Sequence, residues 1–141
     1  MADASSKTIT ISASNTLAPG RFIMNVRQNH FIADASVARG GTNEAPVAIE
    51  LFAVSLATCA LAVIVDSGEK SGFKGATYDL VVSATSDESD GTRFSLVDFA
   101  FRFSGFDRQA GEKLVKEFTD ICPIYNTVAR TTPVKISISV A

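Results

Sequence analysis

Two thiols are the side chains of this chain best suited to covalent chemistry. Cys59 lies near the middle of LFAVSLATCALAVIV, Leu51 to Val65, a stretch without a charged residue, and Cys122 stands immediately before Pro123. A thiol attacks as its thiolate, a form disfavoured by apolar surroundings and favoured by a cation or a helix N-terminus. By its own neighbours, Cys59 reads as core. For Cys122 two readings are open: a small apolar residue finishing a helical stripe, or the cap of a short helix whose first turn holds Pro123 and whose free N–H groups favour thiolate.

Few polar residues accompany the thiols. Ser55 lies one turn before Cys59, and Asp66 lies seven residues after it, close to the same helical face but about 10 Å along the axis. Glu50 is nine residues before Cys59, nearly on the opposite side of a straight helix, and a first-turn carboxylate has the ordinary role of complementing the helix dipole. Arg39 beside Gly40-Gly41, and Arg21 after Pro19-Gly20, occupy loops from which a guanidinium could reach a thiolate, although most such arginines are simply solvated. The single histidine, His30, is too little for a His-based zinc site, and two cysteines are too few for a disulfide framework. The segment ARGGTN has neither the spacing nor the lysine of a phosphate loop.

The elements that position these residues follow from length, composition and period. At 141 residues, 46% hydrophobic and 20% charged, the chain fits one globular domain, 1–141, able to bury roughly two-thirds of its unfolded surface. A net charge of -2 offers no basic field, so nucleic acid is not an expected partner. MADASSKTITIS lacks the basic and apolar regions of a secretory signal, which makes a cytoplasmic location the expectation. The uncharged run between Glu50 and Asp66 would span only about 22 Å against a hydrocarbon core of about 30 Å, so a core helix is expected and a membrane partner is not.

Alternation predicts strands at Lys7–Ala13, Phe22–Val26 and His30–Asp34, forming an N-terminal antiparallel meander. RGGTNEAP leads into a long helix, expected from near Pro46 to about Glu69 and stopped by Gly72. Because this helix is apolar nearly all round, it must be covered on most sides. A hairpin follows, Tyr78–Thr85 turning at Asp90-Gly91, and a parity change after Leu96 predicts a β-bulge near Val97-Asp98. Asp107 can cap a helix running to about Cys122, a short helix fits Pro123–Ala129, and Pro133–Val140 closes as a strand. The order predicts an α+β fold built on antiparallel sheet.

Taken together, GGTNEAPVAIELFAVSLATCALAV, Gly40 to Val63, and DICPIYNTVARTTPVKISI, Asp120 to Ile138, resemble the osmotically inducible protein C (OsmC) family, which includes the organic hydroperoxide resistance (Ohr) proteins. The shared pattern is a glycine pair, a proline, Glu-Leu, a small-residue helix reaching Ala-x-Cys, and a later Cys-Pro before a terminal strand. The resemblance implies an intertwined homodimer, with antiparallel sheets wrapped around long central helices. It also implies a cysteine peroxidase used in oxidative stress defence, acting on organic hydroperoxides and on hydrogen peroxide as a further candidate. Cys59 would be the peroxidatic thiolate and Cys122 the resolving thiol, reduced afterwards by a thiol or a lipoyl-type dithiol, with no metal or flavin cofactor.

In peroxidase members an arginine and a glutamate support the thiolate. Their glutamate falls where this chain has Ile49; Glu50 matches the Glu-Leu of other OsmC-like branches. Arg39 matches the arginine preceding the helix loop, while Arg21 matches a Gly-Arg of the Ohr branch, and Arg39 is the assignment adopted. The shifted glutamate motivates an alternative: an OsmC-fold protein without enzymatic activity that binds an apolar small molecule or senses oxidant.

Overall fold

A computed structural model of the chain describes residues 7–141, so MADASS, the first half of the N-terminal stretch that lacks the features of a secretory signal, lies outside the described residues. The chain divides into two compact units, Met1–Leu51 and Phe52–Ala141.

In the first unit β1 (Ser12–Asn15), β2 (Arg21–Val26) and β3 (Asn29–Asp34) form the expected antiparallel meander in the order β1-β2-β3. The first strand is shorter and later than Lys7–Ala13. Its ladder begins at the Ser12–Asn25 pair, and β2 turns back at Arg27, φ 57°, so Ile9 and Ile11 pair with no strand among the described residues and are exposed. After a 3-10 turn at Val37–Arg39 comes the glycine pair. A Cβ on Gly41 would collide with the carbonyl oxygen of Ala35, which is why that position carries no side chain.

Helix α1 (Ala48–Lys70) starts two residues beyond Pro46. The delay has a local cause: Asp34 donates its N–H to the Pro46 carbonyl at 3.0 Å and Val47 forms a parallel bridge to Asp34, so these residues extend the end of β3 before the helix can begin.

The second unit contains the rest of α1, then β4 (Thr77–Ser86), β5 (Phe94–Ser104), α2 (Arg108–Ile121), α3 (Pro123–Ala129) and β6 (Val134–Val140), with sheet order β4-β5-β6. Asp107 caps α2 as expected, accepting the Ala110 N–H at 2.8 Å. The fold is α+β. One pairing departs from the antiparallel expectation: β6 runs parallel to β5, because α2 and α3 carry the chain across before it returns to the sheet.

The bulge is present but sits earlier than Val97-Asp98. Thr85 faces Leu96 and Ser86 faces Phe94, which leaves Ser95 as the extra residue. Its hydroxyl turns back to the Thr85 and Ser86 carbonyls, each at 3.3 Å. The insertion puts Phe94 on the same face as Val97, Phe99, Phe101 and Phe103, with Leu96 on the other. Phe94 there stacks on Phe52, ring centroids 5.2 Å apart.

That phenylalanine face is the floor of the core, closed by Leu114, Val115 and Phe118 of α2 and by Leu56, Ala60 and Ile64 of α1. The stripe on α1 is fully buried, whereas Val54 and Ala62 are exposed, so the unit covers one side of this apolar helix. By length and composition the whole 23-residue helix is sufficient to cross a membrane, longer than its uncharged run alone. Its buried stripe nevertheless packs on phenylalanines of its own unit, the arrangement of a core helix.

The turn joining β4 to β5 is held by its acidic residues. Asp87 accepts from the Ser89 hydroxyl and N–H at 2.7 and 2.9 Å and pairs with Arg93 at 2.7 Å. These bonds, the Ser89 contacts first, hold its carboxyl down to about 2 from an ordinary 3.8. A carboxyl depressed on folding stabilises fully above its unfolded pKa and loses that contribution as pH falls through 3.8 toward 2. Thermal unfolding followed against pH should therefore show a smaller loss of Tm across that interval in Asp87→Asn than in wild type; equal slopes would remove Asp87 from the account.

Candidate functional site

The two thiols meet inside the second unit. The structure joins Cys59 of α1 to Cys122 in a disulfide, with Cα atoms 6.4 Å apart, inside the usual span of about 4.4–6.8 Å. Cys59 is half-buried and precedes the wholly buried Ala60, while Cys122 is 1% exposed. Both open readings of Cys122 hold at once. It belongs to the core, and it caps α3 with φ -72° and ψ 115°, its sulfur accepting the Tyr125 N–H at 3.4 Å.

Pro123 dictates this joint, since it pushes the preceding residue into extended backbone while suiting the first turn of the next helix. Aromatic rings fix it from both sides. Phe118 of α2 and Tyr125 of α3 lie 5.0 Å apart by centroid, and Phe99 of β5 touches both at 5.6 and 5.8 Å.

The first unit holds a separate polar cluster. Asp34, 4% exposed, receives the N–H groups of Glu44 and Ala45 at 3.0 and 3.2 Å and the Thr42 hydroxyl at 3.2 Å. Arg21 donates to Thr42 at 2.9 Å, pairs with Glu44 and has its Nε 3.7 Å from Asp34. Burial pushes the Asp34 carboxyl up, but these hydrogen bonds and the Arg21 charge together outweigh it and hold the group below its ordinary value. The Arg21 guanidinium is raised, chiefly by its bond to Glu44. The carboxylate thus organises the TNEA part of the loop leading to α1.

Glu50 reaches back one turn, its carboxylate accepting the Val47 N–H at 2.8 Å, which is the helix-end role open to a first-turn acid. Arg39 is exposed and forms no ion pair among the described residues. It borders an apolar hollow of about 510 Å³ with Phe22, Met24, Ala33, Val47 and Leu51. His30 is an exposed strand residue bonded to Asn25 at 2.7 Å.

Sequence reasoning missed Asp34, Thr42 and Glu44. Thr-Asn-Glu in a glycine loop signalled capping, but nothing local marked Asp34 as the buried acceptor those groups converge on.

Among the described residues, two small three-stranded sheets with three α-helices define a mixed α+β fold of the OsmC/Ohr type. The family model described as OsmC-like protein matches residues 41–137, and the chain belongs to that family. Among solved structures it is similar to an OsmC-like protein from Mycoplasma pneumoniae, with TM-score 0.76, 12% identity and coverage of 96% of this chain and 98% of that one. An organic hydroperoxide resistance protein from Elizabethkingia anophelis gives TM-score 0.73, 19% identity and coverage of 98% and 99%. The organic hydroperoxide resistance protein OhrB of Bacillus subtilis gives 0.65, 21%, 94% and 98%. At these identities the likeness is one of fold. No curated protein matches the sequence.

Proposed function

We propose that the protein is a thiol-dependent peroxidase for organic hydroperoxides, and for hydrogen peroxide as a secondary substrate, working through Cys59 and Cys122 as one OsmC-like domain. The observation that carries this reading is the Cys59–Cys122 disulfide within a family that includes cysteine peroxidases. The Cys59 thiolate attacks one oxygen of the O–O bond; the sulfur becomes sulfenic acid and the other oxygen leaves, protonated, as an alcohol. The Cys122 thiolate then attacks the sulfenic sulfur, forms the S–S bond and expels hydroxide, which leaves as water. A dithiol of lipoyl type reduces the bridge by two exchanges and departs as a cyclic disulfide.

The apolar surroundings of Cys59 suit an alkyl hydroperoxide, and we assign Glu50, one position from the place of the family's glutamate, and Arg39 to support its thiolate. The uncovered apolar side of α1 supports a homodimer, with a second copy supplying the missing cover. We place the protein in the cytoplasm in oxidative stress defence, without a membrane or nucleic-acid partner.

Purified protein is expected to consume cumene hydroperoxide when supplied with dihydrolipoamide. Failure with that dithiol, dithiothreitol and glutathione alike would end the peroxidase reading. A second reading, an oxidant sensor or binder of an apolar molecule, is favoured by the commitment of Glu50 to a backbone N–H. Mass spectrometry after one equivalent of peroxide separates these: a disulfide formed without turnover marks a sensor, and no reaction at either thiol marks a binder.

A further inference from the structure

Helices α2 and α3 meet at a single residue, Cys122, and the backbone there is completed by a side chain. In an unbroken helix the Thr119 carbonyl would accept the N–H of residue 123, but that residue is proline and has none. Asn126, half-buried, fills the gap. Its Nδ2 donates to the Thr119 carbonyl at 3.0 Å and to the Cys122 carbonyl at 2.9 Å. Its backbone N–H reaches the same Cys122 carbonyl at 3.0 Å. One carboxamide thus ties the last turn of α2 to the first turn of α3 across the cysteine.

We propose that Asn126 is the positioning residue for Cys122, fixing the α2–α3 joint so that this thiol stands within bridging distance of Cys59. The margin is narrow, because the Cα atoms are 6.4 Å apart and bridging fails beyond about 7 Å. An opening of the joint by about 1 Å takes the thiol out of range. The Phe118, Tyr125 and Phe99 rings also pack on the joint, but they donate nothing to the Thr119 carbonyl, whereas two hydrogen bonds from one planar group tie the Thr119 and Cys122 carbonyls and set the angle between them. The inference rests on the reading of Cys122 as resolving thiol and adds the residue that makes resolution fast.

Asn126→Leu keeps approximate shape and loses both donors, while Asn126→Gln keeps them on a longer arm. Two measurements on folded protein decide the matter: the thiol–disulfide equilibrium in dithiothreitol buffers, which needs no peroxide, and the fraction of Cys59 sulfenic acid trapped by dimedone after one equivalent of cumene hydroperoxide. For Asn126→Leu the disulfide equilibrium constant should fall about tenfold and the trapped fraction should rise, while the rate of peroxide attack stays that of wild type. Asn126→Gln should recover part of both. Values within twofold of wild type in Asn126→Leu overturn the proposal even if the variant is less stable to urea, because lost stability alone would be a capping role. Should Asn126→Leu not fold, Asn126→Ser provides the same comparison. A wild-type protein inert to peroxide counts against the peroxidase reading alone, since the dithiothreitol equilibrium still judges Asn126.

Discussion

Cys59→Ser is expected to reduce cumene hydroperoxide turnover to background, a drop of at least about a thousandfold, because a serine hydroxyl is almost wholly protonated at neutral pH whereas a thiol supplies a few per cent of a strong nucleophile. Cys122→Ser should behave differently. It retains the first step, consumes one equivalent of peroxide and leaves Cys59 as a trappable sulfenic acid, since the group that forms the bridge is gone. The contrast identifies roles that loss of activity alone would not. If Cys59→Ser still turns over, or if Cys122→Ser is the variant unable to take the first equivalent, the assignment of the two thiols is wrong.

Phe99→Ala carries the largest expected effect on stability. The ring is fully buried on β5 and touches Phe101, Phe118 and Tyr125, so truncation removes contacts on the sheet and on both helices that flank Cys122. Removing a buried phenylalanine costs about 3–5 kcal/mol, against a total of about 5–15 kcal/mol for a domain. For a chain of this length a fall in Tm on the order of 10 °C follows, measurable by calorimetry under oxidising conditions. Leu80→Ala on the neighbouring strand, whose side chain is only half-buried, should cost less. Equal effects would show that the phenylalanine cluster is not the centre of this unit.

Much of this was visible in the sequence because it rests on local rules. Cys-Pro fixed the end of α2 and the start of α3, and Asp107 announced its cap. What escaped depends on partners distant in the chain. Alternation at Val134–Val140 is the same for a parallel and an antiparallel neighbour, so the direction of β6 had to wait for the crossover. The parity change in β5 was real, but parity alone does not say which residue is extra, and Ser95 rather than Val97 or Asp98 is left over. β1 was placed too early because Ile9 and Ile11 alternate whether or not a strand lies beside them. At the candidate site the two cysteines were named from the sequence, yet 63 positions of separation say nothing about distance. The Asp34 cluster was hidden for the same reason: its partners lie eight to eleven residues away and converge only after β3 and the loop have folded back.

The bridge also encloses most of the second unit. The segment from Cys59 to Cys122 takes in the second half of α1 and all of β4, β5 and α2, so oxidation turns a linear chain into a closed ring of 63-residue span. By chain-entropy reasoning a ring of that size restricts the unfolded ensemble by about 4 kcal/mol. The oxidised protein should therefore have a higher urea midpoint than the reduced protein; equal midpoints would argue against the effect. Resistance to unfolding, and with it to proteases that act on opened chains, becomes a running record of how recently the protein met an oxidant.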